Sequence, residues 1–342
     1  MEDHGSRIVV WGAGAIGGTV GAFLVRAGLD VLFVDNAEDH VQAMQTEGLS
    51  IEGPLEEFTV AVQAATPDRV MGHFDRIFLC VKAHHTKEAA MALEPHLSTS
   101  GYVVSLQNGL NEREIAETVG ASRTIGAFIN FGADYLAPGR ILYGGRGAFV
   151  LGEIDGQKSD RIKALRDLVS AFEPGAIVTD NIWGYLWGKM GYGALLFGTA
   201  LTNASIADAL DHDAYRPVFT ALAREVVATT DALGIRSERF NGFDPSAFQP
   251  GAPDAAATAS FDEMATFNRR SAKTHSGIWR DLAVRKRRTE VDAQLGPLIR
   301  EAAQLGLATP VTEALIALIH DIEEGRRPLS EANLVTLEEA MK

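Results

Sequence analysis

Two rhythms of apolar and polar positions divide this 342-residue chain. In the first half, short apolar runs of strand length recur at 7–11, 31–34, 59–63, 76–81, 102–106 and 123–129. Amphipathic helical patterns separate them near 16–28, 38–47, 86–94 and 111–119. Parallel strands need helix-length crossovers, so this alternation predicts a mainly parallel sheet with helices on both faces. Two further runs, Arg140–Tyr143 and Ala148–Leu151, flank a glycine cluster and predict a hairpin. A helix over 158–172 and a short strand over Ala176–Thr179 complete this half. From Asn181 onward strand signals nearly vanish, and helical patterns occupy 182–203, 214–233, 256–284, 288–306 and 311–324. A loop rich in Pro and Gly, Asn241–Asp254, interrupts them. The expected fold class is α/β: a doubly wound parallel sheet over residues 1–180, then an all-helical domain over 181–342. Such a pair is expected to bound a cleft in which a ligand meets groups from both halves.

The first strand run ends in Gly12-Ala-Gly14-Ala15-Ile16-Gly17, a G-x-G-x-x-G signature that opens a helix. Gly12 permits a tight strand-to-helix turn, Gly14 lets backbone approach a pyrophosphate, and Gly17 allows close helix–strand packing. The unpaired N–H groups of the helix N-terminus, here at Ala15 and Ile16, favour an anion. The second strand run stops on Asp35, 18 residues past Gly17. This is the pattern of a Rossmann dinucleotide-binding unit. A carboxylate at that point accepts hydrogen bonds from ribose hydroxyls and repels a 2′-phosphate. No Arg or Lys stands at positions 34–40, so NAD is favoured over NADP. Asp is also a common loop-capping residue, which is the simpler reading of Asp35.

Composition narrows the partners. A net charge of −14 speaks against nucleic acid and anionic membranes. The single cysteine, Cys80, lies in an apolar run and is expected to be buried and inert. The polar, acidic start Met1–Ser6 does not resemble a signal peptide, and a cytoplasmic location is expected. Ile182–Leu201 is nearly uncharged and contains Gly184-x-x-x-Gly188, but Lys189 lies inside it. A mid-span lysine costs about 2.5–3.5 kcal/mol on insertion scales, so a buried helix of a soluble domain is expected there.

Candidate chemistry comes from both halves. Val81-Lys82-Ala-His84-His85-Thr86 and Gln107-Asn108-Gly109 follow strand ends, where open α/β sheets bind ligands. Adjacent histidines after a strand are expected to point apart, and no metal site is expected. Lys189 is flanked by apolar residues; desolvation lowers a lysine's pKa and suits it to proton donation, although a lysine can also snorkel to the surface. Glu290 follows the basic run Arg285–Arg288 and could equally form a surface ion pair, as Asp281 could be a helix-face charge.

Taken in order, Gly12–Gly17, Val81-Lys82-Ala83, Gln107-Asn108-Gly109, Trp187-Gly-Lys189 and Ser276 through Asp281 to Thr289-Glu290-Val-Asp292 resemble the ketopantoate reductase (2-dehydropantoate 2-reductase) family over nearly the whole chain. The resemblance implies a Rossmann domain followed by a helical domain of the 6-phosphogluconate dehydrogenase C-terminal type. It implies that Lys189 is the general acid, that Glu290 holds the substrate hydroxyl and organises the lysine, and that Asn108 sits by the nicotinamide ribose. Lys82 is then near cofactor and cleft, and Ser276 binds the substrate carboxylate.

Three departures stand out. Where the family usually carries asparagines one and two turns after the lysine, this chain has Gly193 and Phe197, which implies a larger, more apolar substrate. Asp35-Asn36 replaces the basic residue typical after the second strand. The spacing from Asp281 to Glu290 is one residue longer than usual, which leaves the alignment of Ser276 open by a residue. The expectation is NAD-linked hydride transfer between a 2-oxo acid and its 2-hydroxy acid, in a protein able to form a homodimer. The alternatives are an NADP-dependent 2-dehydropantoate 2-reductase of pantothenate synthesis and a non-catalytic NAD-sensing regulator. A flavin-binding Rossmann protein is disfavoured by the absence of further flavin signals.

Overall fold

The computed structural model describes residues 7–270 and 274–342, so the start Met1–Ser6 and part of the expected helix 256–284 lie outside the described residues. Two compact units emerge, one ending at Ile182 and the other beginning at Trp183. The first unit runs β1 (Ile8–Trp11), α1 (Ala15–Arg26), β2 (Val31–Val34), α2 (Glu38–Glu47), β3 (Leu49–Glu52), β4 (Phe58–Val60), β5 (Gln63–Ala65) and β6 (Phe74–Leu79). It continues with α3 (Thr86–Leu93), β7 (Leu97–Ser105), α4 (Glu112–Val119), β8 (Thr124–Ile129), β9 (Gly132–Ala137), β10 (Arg140–Gly145), β11 (Phe149–Glu153), α5 (Asp160–Val169) and β12 (Ile177–Val178).

The eight-stranded sheet has the order β12-β11-β8-β7-β6-β1-β2-β5. β1 lies at its centre, parallel to β2 and β6, with Ile8 opposite both Val31 and Arg76. Successive residues of β1 feed opposite faces, as strand geometry requires: Ile8 and Val10 join one apolar cluster, Val9 and Trp11 the other. On the first face Phe23 meets Tyr143 and Phe172 edge to face, with centroids 5.5 and 5.1 Å away, and those two rings lie tilted to each other at 5.8 Å. The sheet is mixed rather than wholly parallel, because β11 runs antiparallel to β8.

The expected hairpin over 140–151 does not form. β10 joins a second sheet of order β4-β3-β10-β9, antiparallel to β9 and parallel to β3, while β11 returns to the main sheet. Of the intervening glycines, Gly144 and Gly145 belong to β10, and Gly147 serves close passage, since a Cβ there would stand 1.4 Å from Asn130 O. The expected strand at 59–63 is likewise divided, into β4 of the small sheet and β5 at the edge of the large one.

The second unit comprises α6 (Ile182–Thr199), α7 (Ile206–Asp211), α8 (Arg216–Ala232), α9 (Asp254–Arg269), α10 (Gly277–Trp279), a π-helical turn (Arg280–Arg285), α11 (Val291–Gln304), α12 (Pro310–Glu323) and α13 (Ala332–Glu339). Within 256–284, α9 stops at Arg269, and a new helical segment starts where Ser276 Oγ accepts Trp279 N–H at 3.1 Å. Three glycines of α6 are contact glycines. A Cβ on Gly188 would lie 2.1 Å from Glu238 O, one on Gly191 2.5 Å from the Phe243 ring, and one on Gly198 2.9 Å from Phe219. Glycine spacing in this apolar helix therefore records packing within the unit. Among the described residues no helix is long and apolar enough to cross a membrane.

Candidate cofactor and active site

The three glycines of the β1–α1 turn do three different things. Gly12 has φ +99°, and a Cβ there would meet Val81 N at 2.7 Å. A Cβ on Gly17 would meet Gly12 O at 2.1 Å and Cys80 Cβ at 2.9 Å. Around Gly14, by contrast, nothing lies within 4 Å of the Cβ position. Gly12 and Gly17 are thus required by the protein itself, whereas Gly14 leaves bare backbone facing open space. Helix α1 starts there with no side-chain cap and no acidic residue in its first turn. Open backbone and uncapped N–H groups at a helix N-terminus fit a pyrophosphate.

Asp35 follows β2. Its Oδ2 accepts Ala13 N–H at 2.9 Å and its Oδ1 accepts Ala37 N–H at 3.0 Å. Glu38 and Asp39 open α2, and no Arg or Lys occurs between Arg26 and Arg69. The cation that a 2′-phosphate would need is absent from this stretch. Cys80 is partly buried beneath the glycine turn, and burial pushes its thiol well above the ordinary range.

The loops after β6 and β7 are tied to each other. Buried Gln107 donates through Nε2 to Val81 O (2.9 Å) and to Thr86 Oγ1 (2.8 Å). Thr86 in turn donates to Ala83 O at 2.7 Å, and Asn111 Nδ2 donates to Asn108 O at 2.8 Å. This network fixes the backbone on either side of Lys82 and Asn108, whose side chains stand at the exposed carboxyl end of the sheet. The rings of His84 and His85 do not diverge as expected: a 3-10 turn brings their centroids to 4.1 Å. Among the described residues no group of three or more His, Cys, Asp or Glu could hold a metal ion.

In the helical unit, half-buried Lys189 shares a face of α6 with Gly193 and Leu196, at helical spacings of four and seven. A Cβ on Gly193 would meet nothing within 4 Å, unlike those on Gly188, Gly191 and Gly198. Phe197, expected beside the substrate, is fully buried at 0% exposure, so the stripe continues through Leu196 instead. Ser276 is buried at the head of α10. Asp281 is also buried, and its Oδ1 accepts from Arg285 Nη1 (3.0 Å) and Arg287 Nε (2.9 Å), pinning the π-helical turn. Glu290 stands at the N-terminus of α11. Just before it, Thr289 donates through both N–H and Oγ1 to Glu323 Oε1, each at 2.7 Å.

Comparison with known proteins decides the family. The model described as "Ketopantoate reductase PanE/ApbA" matches residues 8–156, and "Ketopantoate reductase PanE/ApbA C terminal" matches residues 181–323. The chain belongs to the ketopantoate reductase family. It is an oxidoreductase of that family, whose members use an NAD(P)H cofactor. A 2-dehydropantoate 2-reductase of Archaeoglobus fulgidus is 27% identical over 93% of this chain and 98% of its own. The crystal structure of a PanE/ApbA family ketopantoate reductase from Ralstonia eutropha aligns with a TM-score of 0.77 at 26% identity, covering 94% of this chain and 99% of that one. The ternary structure of D-mandelate dehydrogenase with NADH and anilino(oxo)acetate shares the fold, with a TM-score of 0.80 at 22% identity over 93% and 98% of the two chains.

Within this family framework the sequence marked the segments holding Thr86 and Gln107 but not the bonds between them, which depend on two strand ends being neighbours. Asn111 carries no signature of its own. Glu323 lies 34 residues beyond Thr289, in what reads as an ordinary amphipathic helix.

Proposed function

We propose that this family member transfers hydride between NAD(H) and a 2-oxo/2-hydroxy acid pair whose side chain is bulkier or more apolar than that of ketopantoate. Residues 1–180 are assigned to dinucleotide binding and 181–342 to substrate binding and homodimer formation, in a cytoplasmic enzyme. The observation that carries the substrate reading is Gly193. Packing does not demand a glycine there, yet the position one turn past Lys189 offers neither a side chain nor a hydrogen bond. A polar substituent facing it would find no partner, whereas an apolar one would have room. For the cofactor, the pinned Asp35 carboxylate and the lack of basic residues after β2 support NAD.

When bound, the nicotinamide supplies or takes the hydride. Lys189 holds the proton that moves to or from the substrate oxygen, and Glu290 accepts a hydrogen bond from the substrate hydroxyl and orients the lysine. Ser276 Oγ accepts from Trp279 N–H and keeps its own proton to donate to a carboxylate. Asn108 and Lys82 position the cofactor's nicotinamide end, and Gly12, Gly14, Ala15, Ile16 and Gly17 hold its pyrophosphate.

NADP-dependent reduction of ketopantoate is the second reading, favoured by the name of the Archaeoglobus fulgidus relative. Rates with NADH and NADPH across ketopantoate and a panel of branched and aromatic 2-oxo acids separate the two. NADH turnover with a bulkier acid is expected. Fast NADPH-dependent reduction of ketopantoate alone would overturn the proposal.

A further inference from the structure

Ala13, in the middle of the glycine turn, is held by both of its backbone polar groups. Its N–H donates to Asp35, as described, and its carbonyl oxygen lies 2.9 Å from Nε2 of His40 in the first turn of α2. The other imidazole nitrogen, Nδ1, accepts Gly139 N–H at 2.9 Å. A ring that accepts at Nδ1 while facing a carbonyl at Nε2 satisfies both bonds only as the neutral Nε2–H tautomer. His40 is 1% exposed, and Tyr135 of β9 packs on it edge to face, with centroids 5.1 Å apart at 76°. Gly139 is itself anchored in the second sheet, since its carbonyl accepts Ser50 N–H at 2.8 Å. An unbroken chain of contacts therefore runs from the glycine turn through one imidazole to a sheet outside the nucleotide-binding strands.

The Ala13 carbonyl belongs to the same planar peptide as Gly14 N–H. In a trans peptide the two point in opposite directions, so fixing one aims the other. We propose that His40 is a positioning residue for the dinucleotide, turning the Ala13–Gly14 peptide so that Gly14 N–H faces the pyrophosphate. The inference rests on the reading of the glycine turn as the cofactor site, and it adds a residue from the second helix to that site. His40 touches no cofactor atom; it acts through Ala13.

The test is direct titration of the full chain with NADH, together with steady-state kinetics and melting temperature, for wild type, His40→Phe and His40→Gln. Absence of NAD(P)H binding by wild type would overturn the dinucleotide reading itself and is separable from any effect of His40. With wild-type binding established, His40→Phe is expected to weaken NADH binding and raise its KM about tenfold, with kcat changing less than about threefold. His40→Gln is expected to recover most of that loss, because an amide supplies one donor and one acceptor. Unchanged NADH affinity in His40→Phe overturns the inference. So does a loss that is equal in both variants and follows only the melting temperature. If His40→Phe does not fold, His40→Asn, too short to reach both partners, replaces it against His40→Gln with the same outcomes.

Discussion

The proposed function gives Asp35 a ribose to read, yet both its oxygens already accept backbone N–H groups, those of Ala13 and Ala37. Exchanging it to change cofactor preference therefore also disturbs the turn. Asp35→Asn keeps an acceptor and removes the charge. It is expected to reduce the NADH/NADPH ratio of kcat/KM about tenfold, or about 1.4 kcal/mol. Asp35→Ala is expected in addition to raise KM for both cofactors, because two N–H groups lose their partner. Equal ratios in wild type and Asp35→Asn would show that the carboxylate does not choose the cofactor. Lys189 is the other residue on which the chemistry is staked. Lys189→Met, which keeps most of the apolar stem, is expected to lower kcat by about 10²–10⁴ while NADH titrates normally. A smaller loss would assign the proton to another group.

At the scale of elements, α6 separates glycines that packing requires from one that it does not. Gly188→Ala drives a Cβ into Glu238 O and is expected to cost about 1–3 kcal/mol. Gly193→Ala meets open space and is expected to stabilise the helix by up to about 1 kcal/mol. Urea unfolding of the two variants checks the contrast in sign. The alternation of β1, β2, β6, β7 and β8 with their helices was legible because strands buried on both faces read as unbroken apolar runs, as Val31–Val34 does, whereas β3 and the division of 59–63 into β4 and β5 were not. β9 was not, since Gly132–Ala137 is largely exposed and carries no such run. The hairpin over 140–151 failed for a related reason: the apolar pattern of Arg140–Gly145 suits any sheet, and only tertiary contact sends it to β3. Ser276 entered as a candidate only through family resemblance, whereas the bonds of Gln107 to Thr86 and of Thr289 to Glu323 join distant segments that no local pattern announces.

For the molecule as a whole, long-range ties decide both stability and its response to acid. Glu225 of α8 accepts Val311 N–H, Thr312 N–H and Thr312 Oγ1–H (2.6–2.8 Å), closing the N-terminus of α12. Burial nonetheless raises its pKa above the ordinary 4.5, outweighing those bonds. Just above 4.5 the unfolded chain has released this proton while the folded chain retains it, so stability falls as pH rises through that window. The urea midpoint of wild type is expected to decline relative to Glu225→Gln as pH rises above 4.5. A constant offset would contradict the raised value. A comparable tie has a consequence in time. The bond from Gly139 to His40 spans 99 residues, and the Arg140–Glu52 pair beside it spans 88. Contacts across such loops close only after the chain between them has been drawn together, and they form slowly. Refolding should therefore restore far-UV dichroism first and the capacity to bind NAD(P)H later; simultaneous recovery would refute that order. The nucleotide turn is encoded within the first few dozen residues, but its final shape waits for strands made a hundred residues on.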